Sequence, residues 1–543
     1  IHISTMAMPN NDATEFFFQP FKPAANTIEL PHCPDQWMKA DRWRQLESTV
    51  SKKIKNIDQL LRAVRSPGPD QRTPEFAAQK SQPLRHGLLE FTIEKIMSKA
   101  ERQEFFTTTL PFIQKLVLDL PTVFPVPTIP RLRSSTPGEV TLTRHQVATL
   151  LACAFFSVFK VHPGAGWQYF NFDLMFSVGE YAQVAKILCI LHYFHRLSTE
   201  GIPQGNFTVM RLSLSAEESK AFSKNELLKS TKALSELTLL KQGAIEDCTA
   251  MLQVDFANKY IGGGVLQTGC VQEEIRFVIN PECLVSMLFC EVMEDGEAIV
   301  IVGAERFSNY KGYGLSFEWA GPYYDKTPKD DKNRISTVIV AIDAIVAFKT
   351  NQFTEEAVLR ELVKATVGFS VRDEVLGGPK FSSVATGNWG CGAFGGDIPL
   401  KSIIQWLAAS LSGRSIQYFS FGNNKAKDLQ IVSEMLKNKN LTVGSLLGDL
   451  LNFLARINPN HPKSVFQLLQ SKYASADAIE NPESKSSSQL EEGSSRQCLP
   501  SKSDASDTLP DDELASKAIE TNASSSSVPD EILEKLSLEP KIH

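Results

Sequence analysis

Apolar residues first recur at helical spacing in the N-terminal part of the chain. Leu46, Ile54, Leu60, Leu61 and Val64 predict one helix over Trp43–Val64, set within a peripheral, partly ordered segment rich in aromatics and prolines. Beyond Leu88 the period is clearer, through Phe91, Ile93, Ile96 and Met97, then Phe112, Ile113, Leu116, Val117 and Leu120, until the prolines of Pro121–Pro130 end it. Thr143 reads as the N-cap of a helix over Arg144–Phe159, and another helix is expected over Tyr181–Leu197. This half reads as all-helical.

After Thr208 short apolar runs alternate with helical segments. Met251–Phe256, Ala298–Gly303, Ser336–Ala344 and Ile416–Phe421 predict strands, being rich in Val and Ile. Pro281–Phe289, Thr354–Val367 and Leu400–Leu411 predict helices, the second opened by Thr354 with Glu355 and Glu356 in its first turn. Such alternation points to an α/β sheet with helices on both faces. Beyond Tyr473 serine and charged residues replace large apolar ones, so disorder is expected, broken at most by a short helix over Asp530–Leu538.

A chain of 543 residues exceeds one ordinary core, which predicts two domains plus tails. The net charge of -6 gives no reason to expect nucleic-acid binding, so a polyanionic ligand would have to be met by backbone amides and helix N-termini. Nine cysteines without a Cys-x-x-Cys pair read as buried free thiols in a reducing compartment. With no apolar run of membrane-spanning length and no basic-then-apolar leader, a cytosolic or nuclear protein is expected, not a membrane one.

The run Asp255–Arg276, DFANKYIGGGVLQTGCVQEEIR, carries the candidate chemistry. Gly262, Gly263 and Gly264 lack side chains that would hold a ligand off, and they can adopt the positive φ that curls N–H groups toward a phosphate. Gln272, Glu273 and Glu274 then supply hydrogen-bonding and proton-transfer groups; the plainer alternative is a glycine turn before an acidic helix start. With VDFAN ahead of it, this run resembles the signature of the poly(ADP-ribose) glycohydrolases. The resemblance extends through AERFSNYKGY at Ala304–Tyr313 and ATGNWGCGAFGGD at Ala385–Asp397, and covers roughly Thr143 to Leu450.

That resemblance implies a macrodomain-like mixed sheet flanked by helices, with an N-terminal all-helical accessory domain, to which the composition adds a disordered C-terminal tail. The corresponding division is 1–83, 84–207, 208–472 and 473–543. It implies an exo-acting hydrolase that cuts ribose–ribose bonds of poly(ADP-ribose) on modified proteins, as a monomer in nucleus and cytoplasm, without cofactor or metal.

Glycosidic cleavage passes through an oxocarbenium-like state and needs an acid for the leaving oxygen. By its place in the motif Glu274 is implied to be that acid and then to activate water. Glu273 and Gln272 are implied to position ribose, Glu273 and Asp255 being counted with the catalytic carboxylates. On an extended or turning backbone the adjacent glutamates would point apart. Asp255 and Asn258 would hold substrate hydroxyls and shape the pocket beneath the glycines, against the alternative of an Asx turn.

Glu246 matches a position that reads the adenine amino group, Tyr313 one that covers the ligand, and Phe421 one that stacks on adenine, its alternative being burial in the core. Asn388, Gly392 and Phe394, in the second glycine cluster, could cradle the diphosphate from the opposite side. Gly390, Gly392 and Gly395 also satisfy GxGxxG, which raises a nicotinamide-dinucleotide oxidoreductase as a rival; no Asp or Glu ends Ile416–Phe421 to bind its ribose, and Ala385–Trp389 reads as a weak strand. A non-catalytic ADP-ribose-binding module is the other alternative, which an intact Glu274 argues against. His192 and His195 lie one helical turn apart without an evident third metal ligand.

Overall fold

The computed structural model describes residues 26–33, 42–65, 86–159, 166, 169–177, 179–376, 381–454 and 463–480. Two short strands, β1 (Thr27–Glu29) and β2 (Thr128–Pro130), pair antiparallel. The main sheet contains β3 (Gly138–Thr143), β4 (Asn206–Ser213), β5 (Leu237–Leu240), β6 (Leu252–Ala257) and β7 (Glu297–Val302). A hairpin of β8 (Ser308–Lys311) and β9 (Glu318–Pro322) stands outside it, and β10 (Val338–Asp343), β11 (Ser383–Gly387) and β12 (Ser415–Phe419) complete it. Its strand order is β3-β4-β7-β10-β6-β11-β12-β5. From β10 to β5 all neighbours are parallel, while β7, β4 and β3 continue one edge antiparallel.

Sheet burial explains why strands such as β7 (EAIVIV) and β10 (VIVAID) read as continuous apolar runs: every residue in both is buried. Alternate side chains feed two cores. Ile299, Ile301, Ile339 and Ala341 join one with the helices Arg144–Phe155, Tyr181–Glu200 and Gln272–Ile279, whereas Ala298, Val300, Val340 and Ile342 join the other with Glu355–Phe369 and Ile398–Leu411. The mixed sheet flanked by helices is thus as expected.

Several local readings change. The single helix over Trp43–Val64 is two, Arg42–Val50 and Ile57–Arg65, because Asn56 caps a new start by accepting the N–H of Gln59 at 3.0 Å; the buried Ile54 lies between them. The N-terminal half is not all-helical, since β3 and β4 belong to the sheet, and the expected division at 207/208 falls inside β4. Thr143 does cap the next helix, in a reciprocal pair with Gln146. The weak strand at Ala385–Trp389 is β11, an interior strand between β6 and β12.

Cys33, Cys153, Cys189, Cys270, Cys283 and Cys290 are buried free thiols, and Cys248 and Cys391 are half-buried ones. Of the expected tail, residues 473–480 continue the helix Val465–Glu480, and the rest lies outside the described residues, as does Asp530–Leu538. No helix among the described residues is long and apolar enough to cross a membrane.

Candidate active site

Strand β6 delivers the site. Asp255 lies within it, Asn258 just beyond it, and the chain turns through the glycines into the helix Gln272–Ile279. That helix replaces the extended or turning backbone expected at the glutamates and matches the plainer alternative, a glycine turn before an acidic helix start. Acidic residues favour a first helical turn, where unpaired N–H groups and the macrodipole stabilise negative charge. Here Glu273 and Glu274 bend back onto the loop that precedes them. Glu273, 2% exposed, accepts from the amides of Asn258 at 2.8 Å and Gly262 at 2.6 Å. Glu274, 6% exposed, accepts from Gly264 at 2.8 Å and Val271 at 2.9 Å.

The loop therefore spends its donors inside the protein. Gly263 donates to the carbonyl of Tyr260 at 3.0 Å, so all three glycine amides have internal acceptors. They orient carboxylates where a phosphate cradle was expected. Glycine is required here for two reasons. Gly262 and Gly263 have φ of 89° and 51°, and a Cβ on Gly263 would come within 2.5 Å of a carboxylate oxygen of both Glu273 and Glu274.

Three carboxylates share this interior. Asp255 is fully buried and, among the described residues, neither of its oxygens has a hydrogen-bond partner. Burial lifts it from its ordinary 3.8 to about 8, opposed by the positive charge of Arg276 and reinforced by Glu274. Glu273 is held well above the usual carboxylate range, first by burial and then by the charges of Asp255 and Glu274, against its two amide donors. Arg276, buried on the same helix, donates to Gln253 at 2.6 Å.

The neighbouring side chains have defined partners. Gln272 bridges β6, accepting from the amide of Phe256 at 2.7 Å and donating to the carbonyl of Val254 at 3.1 Å. Asn258 forms the Asx turn, its Oδ1 accepting from Tyr260 at 3.0 Å. Glu246 lies in the turn Ile245–Asp247 and accepts from the Tyr310 phenol at 2.5 Å. Tyr310 belongs to β8, and the tip of that hairpin carries Tyr313, 56% exposed; the next amide, Gly314, donates to the carbonyl of Cys270 in the first glycine loop at 2.9 Å.

A second loop runs from β11 to the helix Ile398–Leu411, which Asp397 caps by accepting from Leu400 at 2.9 Å. Asn388 ties this loop to the end of β12, donating to the carbonyl of Ser420 at 3.1 Å and accepting from the Tyr418 phenol at 3.1 Å. Among the described residues, the N–H groups of Gly392, Ala393 and Phe394 have no protein acceptor, in contrast to the first glycine loop. Lys401 pairs with Glu361 beneath this loop and lies 4.5 Å from the Trp389 ring. Phe421, two residues past β12, is 54% exposed with φ 51°, so it stands outside the core.

Sequence reading passed over Lys186 and Gln183. Both lie on the helix Tyr181–Glu200 and bind carbonyls of the first glycine loop: Lys186 donates to Val265, Gln267 and Gly269 at 2.8, 2.7 and 2.7 Å, and Gln183 to Thr268 at 2.9 Å. A lysine inside the apolar run AQVAKILCIL was the available signal. On the same helix His195 contacts the Thr109 hydroxyl at 3.3 Å and the His192 ring lies 5.4 Å from Trp319; among the described residues no cluster of His, Cys, Asp or Glu is arranged to hold a metal. A cavity of about 270 Å³ opens beside Lys259 and Tyr260, walled by Val292, Asp295, Asp343 and Arg360, and neither Glu273 nor Glu274 lines it.

Comparison with known proteins places this geometry. A family model described as "Poly (ADP-ribose) glycohydrolase (PARG), helical domain" matches residues 97–211, and one described as "Poly (ADP-ribose) glycohydrolase (PARG), Macro domain fold" matches 224–428. The chain is 34% identical over 451 residues to poly(ADP-ribose) glycohydrolase 1 of Arabidopsis thaliana, covering 67% of this chain and 81% of that protein. It is 35% identical over 420 residues to the probable poly(ADP-ribose) glycohydrolase 2 of the same plant, covering 66% and 80%. With poly(ADP-ribose) glycohydrolase 1 of Caenorhabditis elegans it shares 35% over 362 residues, 64% of this chain and 44% of that protein.

Proposed function

Because the chain belongs to the poly(ADP-ribose) glycohydrolase family, we propose that it acts mainly from polymer ends, with Glu274 moving the proton. It hydrolyses ribose–ribose O-glycosidic bonds of poly(ADP-ribose). ADP-ribose is released, and the enzyme works as a monomer in nucleus and cytoplasm.

One observation supports the assignment: Glu273 and Glu274 each accept one backbone N–H on either carboxylate oxygen and keep a lone pair there for a proton, and Glu274, 6% exposed against 2%, is the one nearer solvent and an incoming sugar. In the first step the Glu274 carboxyl gives its proton to the departing ribose oxygen as the glycosidic bond breaks. Water then attacks the oxocarbenium-like carbon and loses a proton to the Glu274 carboxylate, which restores the acid. Glu273 and Asp255 hold negative charge or a proton beside this path. Gln272 and Asn258 act by shaping β6 and the turn under the ribose.

The remaining residues divide the ligand between them. Gly262, Gly263 and Gly264 give a floor without side chains on which the sugar approaches the carboxylates. The unpaired amides of Gly392 and Phe394, in the loop that Asn388 anchors, suit the diphosphate. Tyr313 and Phe421 present exposed rings to adenine and ribose, and the free oxygen of Glu246 suits the adenine amino group.

Digestion of purified polymer tests this. Glu274→Gln keeps the shape and one of the two amide contacts, since its NH2 cannot accept the other, and it has no proton to give, so ADP-ribose release should fall by about 10²–10⁴-fold with ADP-ribose affinity unchanged. A variant that keeps wild-type turnover removes Glu274 from the mechanism.

A further inference from the structure

We infer that Lys186 is a positioning residue for Glu274: its ammonium grips three carbonyls of the catalytic loop from beneath and so fixes the amides that hold the Glu274 carboxylate. The inference rests on the glycohydrolase reading above and adds a residue from the helical half to its machinery.

The loop between the glycines and the helix Gln272–Ile279 is sorted by polarity. Its carbonyls at Val265, Gln267 and Gly269 point to Lys186, while the amides at its two ends, Gly264 and Val271, point to Glu274. The same turn is tightened from within by the amides of Gln267 and Gly269, both donating to the Gly264 carbonyl, at 2.8 and 3.2 Å. Glycine at 269 is needed because a Cβ there would lie 2.8 Å from the Glu274 carboxylate.

An ammonium suits this place because it offers three donors from one point, and three carbonyls converge on it. Lys186 is fully buried, so holding a charge there is costly unless the surrounding oxygens compensate. Burial draws its pKa from 10.5 down to about 8, with Cys270 and Glu274 acting in the opposite direction, so the side chain is charged at neutral pH. Neutralising it would free the loop carbonyls and let the Gly264 and Val271 amides drift from the acid. Displacements near 1 Å cost about 10²-fold in rate when a reacting group is misplaced.

The experiment compares the full-length wild type with Lys186→Met, which matches the side chain in length and lacks its donors. Polymer digestion gives kcat and KM, calorimetry gives the ADP-ribose Kd, and a thermal melt reports folding. The expected result is a kcat lower by about 10²-fold with KM and Kd unchanged. An unchanged kcat overturns the inference, and so does a parallel loss of kcat, affinity and melting temperature, which would mark the lysine as structural only. If Lys186→Met does not fold, Lys186→Gln, which keeps one donor group, is read on the same split; failure of both to fold also overturns it. The wild type separates the two layers of argument, because a wild type that releases no ADP-ribose defeats the functional reading, whatever Lys186 does.

Discussion

Asp255 is a carboxylate without a hydrogen-bond partner, fully enclosed beneath two others, and its raised pKa has a thermodynamic consequence. Its folded value of about 8 lies above its ordinary 3.8, so its contribution to stability is complete below that lower value and is lost as pH rises toward 8. Replacing it with Asn removes the titration. Melting curves should therefore show the wild type losing stability between pH 5 and 8.5 more steeply than Asp255→Asn, the variant gaining on the wild type as pH rises. Parallel curves would mean that this carboxylate ionises normally. Its position was readable because β6 is otherwise almost wholly apolar, but its isolation was not, since that depends on which groups Gln253, Arg276 and Glu274 leave unpaired around it.

The loop and helix that follow β6 form one unit, joined by carboxylate-to-amide bonds. Gly263→Ala tests its tightness: the added methyl needs a positive φ and meets oxygens of both glutamates at 2.5 Å. The cost should be about 1–3 kcal/mol of stability, seen as a lower melting temperature, together with a fall in kcat. Unchanged melting and turnover would show that the loop gives way freely. Much of this element was legible, because glycine and paired acids are residue types with few other uses in such a spacing. The helix itself was legible only as the plainer alternative, since GCVQEEIR offers little apolar periodicity and its start is fixed by contacts with the loop. β11 was underestimated for a related reason: Ala385, Thr386 and Gly387 are small, and tight packing between β6 and β12 selects them. Lys186 and Gln183 stayed hidden because they lie some 80 residues before the carbonyls they bind.

The two halves of the molecule are not separable bodies resting on one another. β3 and β4 extend the sheet beyond β7, and Arg144, at the start of the helix that follows β3, forms buried ion pairs with Glu282 at 2.7 Å and Glu305 at 2.6 Å. Removing one partner of such a group strands charge in the interior. Arg144→Met should thus cost about 3–5 kcal/mol, measured by denaturant unfolding. A loss below about 1 kcal/mol, as exposed pairs give, would show that water reaches the pair. Arg211 with Glu297, at 2.6 Å, repeats the device at the β4–β7 junction. The strand character of 138–143 escaped sequence reading because GEVTLT buries only Val140 and Leu142, a pattern too short to outweigh the helical period around it.

The saturated donors of the first glycine loop and the open ones of the second assign them different tasks. On the proposed reading, chemistry is arranged before the ligand arrives, and adhesion is left to the segment that still has hydrogen bonds to give. Tightness of grip and speed of cutting can then be tuned independently, by changes in two different loops.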